Sequence, residues 1–182
     1  MEATEILQRE HDVVRLVIDA AAREAAHIRA TGEAHVDEVE RIVEFLRFFA
    51  DACHDPKEED LLFCRLHKRG LSWESEPLAE MLRDHEQLRA ILHAVSDWMP
   101  LVRSSNDLAM MPLAHNLEAY VELMREHMRK EEISVFPLVD DYLTDDDRSE
   151  LVLEFTTVEC TEIDAGVHEH YYSMAHRLAQ SA

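Results

Sequence analysis

Three glycines and five prolines in 182 residues are too few for a turn-rich or sheet-rich fold. No glycine-rich loop is present to cradle a phosphate or a dinucleotide, which excludes nucleotide enzymes of the usual kinds. Basic residues are also scarce: 18 Lys and Arg stand against 39 Asp and Glu, for a formal net charge of −21. Nucleic acid and anionic membranes both need clustered cations, so neither is expected as a partner. Cysteine is limited to Cys53, Cys64 and Cys160, with no CxxC spacing, which fits a reducing, cytoplasmic setting. Cys53 and Cys64 would lie about 16 Å apart along one helix, too far for a bridge. The opening MEATEILQRE shows no basic segment followed by an apolar one, so no signal peptide is expected. No run approaches the ~20 apolar residues of a membrane span.

What the chain does have is 47% hydrophobic residues, enough for a core despite the charge, set in helical periodicity. The spacing predicts helices over 4–30, with Thr4 as cap and Gly32 past the end, and over 35–68, stopping at Gly70. A loop with Trp73, Ser75 and Pro77 leads to a third helix over 77–103. SSND at 104–107 introduces a fourth, restarted at Pro112 and running to about Tyr142. Four long helices on short connections predict an all-α, up-down-up-down four-helix bundle over 1–143. The remainder, 144–182, reads as a helical extension. TDDDRSEL looks like a capped helix start, and Val167, Tyr171, Met174, Ala175 and Leu178 form an apolar face that would pack on the bundle. Trp73 and Trp98 read as packing residues.

Two stretches of this chain repeat one another. HDPKEEDLLF at 54–63 and HMRKEEISVF at 127–136 share His, then Lys at +3, Glu at +4 and +5, and Phe at +9. The first and third helices match as well: REHDVVR at 9–15 and RDHEQLR at 83–89 share Arg, acid, His, acid, any residue, aliphatic, Arg. The bundle therefore reads as two helical hairpins of one design, a pair and not a solenoid. Apolar neighbours turn the histidines inward: Leu7, Val14 and Ile18 around His11, and Leu78, Met81, Leu82, Leu88 and Leu92 around His85. Tyr120, Leu123, Met124 and Val135 do the same for His127, while His54 is less clearly framed and Pro56 is expected to bend its helix.

Residues at i and i+4 share a helix face, so His54 with Glu58 and His127 with Glu131 can point into the bundle beside His11 and His85. Two buried carboxylates cost several kcal/mol each unless a cation compensates them. The competing explanation is pairing of these glutamates with Lys57 and Lys130. Mixed imidazole and carboxylate donors suit iron, manganese or zinc better than magnesium or calcium. On two six-coordinate ions, four imidazoles, two bridging carboxylates and an oxo or hydroxo bridge leave one position open on each metal, a reason to favour iron. Glu59 and Glu132, one residue off the ligand face, read as neighbours of the site, although an exchange of Glu131 for Glu132 stays open. Thiolate ligation by Cys53, and metal binding by His168, His170 and His176, are minor readings.

These motifs resemble the hemerythrin-like family, also called the HHE cation-binding domain, over roughly residues 4–143. The resemblance implies a four-helix bundle holding a non-haem di-iron centre, with His11, His54, Glu58, His85, His127 and Glu131 as ligands and the glutamates as bridges. Oxygen-carrying members have a fifth histidine where this chain has Arg89, and an aspartate where it has Glu132. The four-His, two-Glu set is more similar to bacterial members that handle nitric oxide, peroxide or iron–sulfur repair. The expected function is a di-iron protein that binds or reduces O2, peroxide or NO in oxidative or nitrosative stress or iron homeostasis. The alternative is an iron- or oxygen-sensing module without turnover. No catalytic residue beyond the ligands is assigned, and the oligomeric state is left open.

Overall fold

The computed structural model describes residues 2–104, 106–161 and 167–181, without the side chains of 158–161 and 167. Ser105 and the side chains of Cys160 and Val167 thus lie outside what is described. The first rod is helix α1 (Ala3–Thr31). Its cap is Glu2, not Thr4, because the Glu2 N–H is satisfied by Glu5 Oε2 at 2.9 Å. It ends on Gly32 at φ 76°, a left-handed conformation that glycine adopts without a Cβ clash. The second rod is α2 (Val36–Phe45), the π-helical turns π1 (Leu46–His54) and π2 (Lys57–Phe63), and α3 (Cys64–Lys68). The third is α4 (Glu76–Arg103), with Pro77 in its first turn, where no N–H is needed. The fourth is α5 (Asp107–Lys130), π3 (Glu131–Val135) and α6 (Phe136–Tyr142).

The expected restart at Pro112 does not occur: α5 runs through it. Leu113, Ala114 and Leu117 are buried there, and that packing outweighs one missing hydrogen bond. Proline acts elsewhere. The ring of Pro56 crowds the carbonyl of Ala52, inside π1, and that of Pro137 crowds Ile133, inside π3. The helix widens at both places, so that Asp55 N–H reaches Ala50 O and Phe136 N–H reaches Glu131 O. His54, Glu58 and Glu131 thus sit on widened helix, whereas His127 projects from the regular helix α5.

α1 packs against α5 and the second rod, and α4 does the same from the other side, so the rods form the expected all-α up-down-up-down bundle. Apolar side chains gather in two separate clusters. The larger runs from Val13 to Ile28 on α1 and includes Phe45, Phe49, Leu88 and Leu113. The smaller joins Ala3, Leu7, Leu62, Phe63, Leu78, Val135 and Phe136. Every rod passes from one cluster to the other, and His11, His54, His85 and His127 lie in the layer between them. Helix α7 (Asp145–Thr161) starts with reciprocal Thr144 and Asp147 hydrogen bonds and buries Leu151 and Phe155 in the smaller cluster. Helix α8 (Val167–Gln180) lays Tyr171, Met174, Ala175 and Leu178 on α1 and α2. No helix among the described residues is long and apolar enough to cross a membrane.

Candidate metal centre

All six side chains that the sequence singles out meet in this layer, each between 0 and 3% exposed. His11 Nε2 lies 3.2 Å from Glu131 Oε2 and 3.9 Å from Glu58 Oε1, and His54 Nε2 lies 3.5 Å from Glu58 Oε1. Opposite them, His85 Nε2 is 3.4 Å from Glu58 Oε2, and His127 Nε2 is 3.3 Å from Glu131 Oε1. The two Nε2 atoms of His85 and His127 face each other at 3.0 Å. Two overlapping groups result: His11, His54, Glu58 and Glu131, and His85, His127, Glu58 and Glu131, each offering four donor atoms within 4.8 Å of one another. Glu58 and Glu131 belong to both.

The outward ring nitrogens explain how the inward ones are aimed. His54 Nδ1 bonds Glu10 Oε2 at 2.8 Å, His11 Nδ1 bonds Glu132 Oε1 at 3.0 Å, and His85 Nδ1 bonds Glu59 Oε1 at 2.6 Å. His127 Nδ1 faces Asp84 Oδ2 at a longer 3.7 Å. A carboxylate acceptor places the proton on Nδ1 and leaves the Nε2 lone pair directed inward, the arrangement that metal-binding imidazoles use. These acids are held in turn by cations. Lys57 pairs with Glu10, Lys130 with Asp84 at 3.1 Å, Arg15 with Glu132, and Arg89 with Glu59 at 2.8 Å. The lysines therefore do not neutralise Glu58 and Glu131, which removes the competing explanation for those two carboxylates. Nor is Lys57 a surface charge; it is fully buried.

Aromatic rings complete the packing. Phe63 stacks on His85 at 6.4 Å and Phe136 stacks on His11 at 5.6 Å between ring centroids. Each HxxKEE…F unit therefore clasps the histidine of the opposite hairpin with its +5 glutamate and its +9 phenylalanine. The sequence displays every one of these letters twice, yet their roles were not legible in it. Helical spacing shows which residues share a face, whereas a clasp between hairpins depends on how the rods are paired.

The electrostatics demand positive charge at the centre. Burial lowers the His11 imidazolium, but its contacts with Glu131 and Glu132 prevail and push it up to about 10. Burial also opposes charge on His85, and Asp55, Glu58 and Glu59 together raise it well above the usual imidazole range. Burial raises Glu58, and the surrounding imidazoles pull it down; Glu131 is raised by burial and by repulsion from Glu58. Both oxygens of Glu58, both of Glu131 and His11 Nε2 make no hydrogen bond among the described residues. Five buried polar atoms pointing at one another are costly unless something cationic joins them. Two donors bound at right angles to one ion would lie about 3 Å apart, close to the separations found here. The residues present fit a metal centre.

A separate group, Glu24, His35 and Glu38, serves the fold instead, since Glu24 accepts the His35 N–H at 2.7 Å and fixes the start of α2. Cys53 is buried but belongs to none of the candidate metal groups, and Cys64 bonds the Glu59 carbonyl at 3.4 Å. Arg89, at the place of the fifth histidine of oxygen carriers, reaches Asp51 at 2.6 Å, Asp55 at 3.2 Å and Glu59.

Comparison with known proteins agrees with this geometry. Uncharacterised proteins of two Mycobacterium tuberculosis strains and of Mycobacterium bovis are each 22% identical over 143 residues, covering 78% of this chain and 55% of theirs. The chain thus spans about half the length of the curated relatives it matches. No solved structure matches it. The sequence profile of the Hemerythrin HHE cation binding domain matches residues 2–151, most of the chain and all six buried site residues. This protein belongs to the hemerythrin HHE cation-binding domain family.

Proposed function

We propose that the centre holds two non-haem iron ions and that the protein binds or reduces a small molecule there: dioxygen, peroxide or nitric oxide. One ion would take His11 and His54, the other His85 and His127, with Glu58 and Glu131 bridging. The observation that carries this reading is the overlap of the two donor groups on the same two glutamates. Carboxylates common to both sets, whose oxygens make no hydrogen bond among the described residues, are what a bridged pair requires. Iron so held supplies one-electron redox chemistry and open coordination for a diatomic ligand.

The chain's own residues provide the rest. Glu10, Glu59 and Glu132 hold ring tautomers through Nδ1, and the apolar clusters on either side keep bulk water out. Arg89 turns its guanidinium to Asp51, Asp55 and Glu59, so the second position gains no fifth imidazole. That supports reaction with a small molecule over reversible oxygen carriage.

Metal analysis with an optical spectrum of aerobically purified protein tests the proposal. Two irons per chain with oxo-to-iron charge-transfer absorption are expected; one zinc and no colour would overturn it. Repeated consumption of peroxide or nitric oxide, abolished by His54→Ala, would mark an enzyme. A single stoichiometric reaction would mark a binding or sensing module.

A further inference from the structure

The duplicated design breaks at one place next to the site, and the C-terminal extension supplies the break. His168, near the start of α8, brings its Nε2 to 3.6 Å from Glu10 Oε1, a charge contact beyond hydrogen-bond length. Its ring lies 4.6 Å from that of Tyr172 and 5.4 Å from that of Phe49. Glu10 is the acid that holds His54 Nδ1, and it is 1% exposed. The matching acid of the other hairpin, Asp84, lies beside Lys130, which Glu80 also engages at 2.7 Å, and the solvent reaches that cluster.

We propose that His168 is a positioning residue: by holding Glu10 against His54 it makes the C-terminal extension set the affinity of one metal position and leave the other alone. The inference rests on the two-metal reading above. Its physical basis is the division of labour on one carboxylate. Oε2 of Glu10 accepts from His54, while Oε1 meets Lys57 and the His168 side. Lys57 rides on the same rod as His54, three residues on, and so holds Glu10 from the His54 side alone. His168 approaches from another helix, packed on aromatic neighbours that limit its motion. Without its ring, water reaches the Oε1 side, the carboxylate turns to hydrate, and the bond that aims His54 Nε2 loosens. Loss of a direct partner of a metal-binding imidazole costs about 10–100-fold in metal affinity. One contact further out, a loss of about threefold to tenfold is expected.

The test uses the full chain, metal-stripped and titrated anaerobically with Fe(II), and separately with Co(II), against a competing chelator. His168→Ala should weaken one of two equivalents by about threefold to tenfold, with a change in the Co(II) ligand-field bands of that equivalent only. His168→Gln, which keeps a polar side chain of similar reach over Glu10, should restore most of the affinity. Combined with His127→Ala, which keeps the His11 and His54 set, His168→Ala must weaken the remaining metal. Combined with His54→Ala it must not. Equal weakening of both equivalents, as general loosening of α8 would produce, or no weakening of either, overturns the inference. If the unmodified chain itself takes up fewer than two ions, it is the two-metal reading that fails.

Discussion

The two hairpins carry the same chemistry in different surroundings. Around His54, Glu10 and Lys57 are sealed, Lys57 being 0% exposed and the Nδ1 contact 2.8 Å. Around His127, the same roles fall to Asp84 and Lys130, with Lys130 20% exposed and the contact stretched to 3.7 Å. The cover explains the difference. α8 lies on α1 and α2, and Arg65 on α3 reaches Asp147, Glu150 and Glu154 of α7, so both extension helices dress the first hairpin. The donors and their outer partners obey the duplication in kind; the burial of the Glu10–Lys57 and Asp84–Lys130 pairs does not. Equivalent ligands with unequal support can give two positions of unequal affinity.

The most severe way to break the comparison is to remove the glutamates common to both sets. Glu58→Ala and Glu131→Ala should each take metal content from two ions per chain to nearly none, with helical circular dichroism retained. His54→Ala or His127→Ala should leave about half the metal. If Glu131→Ala kept one ion while Glu58→Ala kept none, the carboxylates would not be shared equally and the pseudo-symmetry of the centre would be wrong.

The lysines test the asymmetry of support. Lys57→Met strips a buried ammonium from a buried carboxylate and should cost about 3 kcal/mol in urea unfolding. Lys130→Met, at a partly hydrated pair, should cost below about 1 kcal/mol. Equal losses would mean that the two outer networks are equally dry. The phenylalanines test the opposite expectation, since Phe63 and Phe136 clasp their histidines alike. Phe63→Leu and Phe136→Leu should each cost about 1 kcal/mol, and a large inequality would show the clasp to be one-sided.

Much of this layout is readable from letters and spacing. The four rods follow from apolar periodicity with glycine at two ends; His54, Glu58, His127 and Glu131 follow from i,i+4 geometry in a repeated motif, and His11 and His85 from the apolar residues that flank them. What spacing conceals is the third dimension. Glu10 and Asp84 occupy matched positions in the repeat, but nothing local reveals that each serves a histidine on the neighbouring rod. Lys57 illustrates the limit. Lysine three residues after a histidine shows no partner in the sequence, and Glu10, 47 residues away, is what helps to make its burial tolerable. The π-helical turns were likewise hidden, because Pro56 and Pro137 announce a disturbed ladder without saying whether the helix bends or widens. Pro112, with the same missing donor, does neither, since the apolar residues that follow it hold α5 in place.

The smallest expected effect concerns the fastening of the extension to the first hairpin, and pH separates it from the rest. Asp147 receives Arg69 Nε at 2.7 Å and Arg65 at 3.3 Å, and it accepts the Thr144 hydroxyl at 2.7 Å. These contacts, Arg69 first, hold its carboxyl well below the usual range despite burial's opposing pull. A carboxyl lowered in the folded state stabilises that state above its unfolded pKa of about 3.9 and loses this contribution as pH falls below it. Asp147→Asn should therefore lower the Tm by about 2–4 °C at pH 7, with the deficit shrinking below pH ~4 as the aspartate of the unfolded chain takes up a proton that the folded one does not. Thermal scans of both proteins between pH 7 and 3 read this directly. The metal content of Asp147→Asn should stay at the unmodified level, because the clamp holds α7 to α3 and does not reach Glu10. A loss of one ion in this variant would mean that α7, and not only α8, supports the His54 side of the centre.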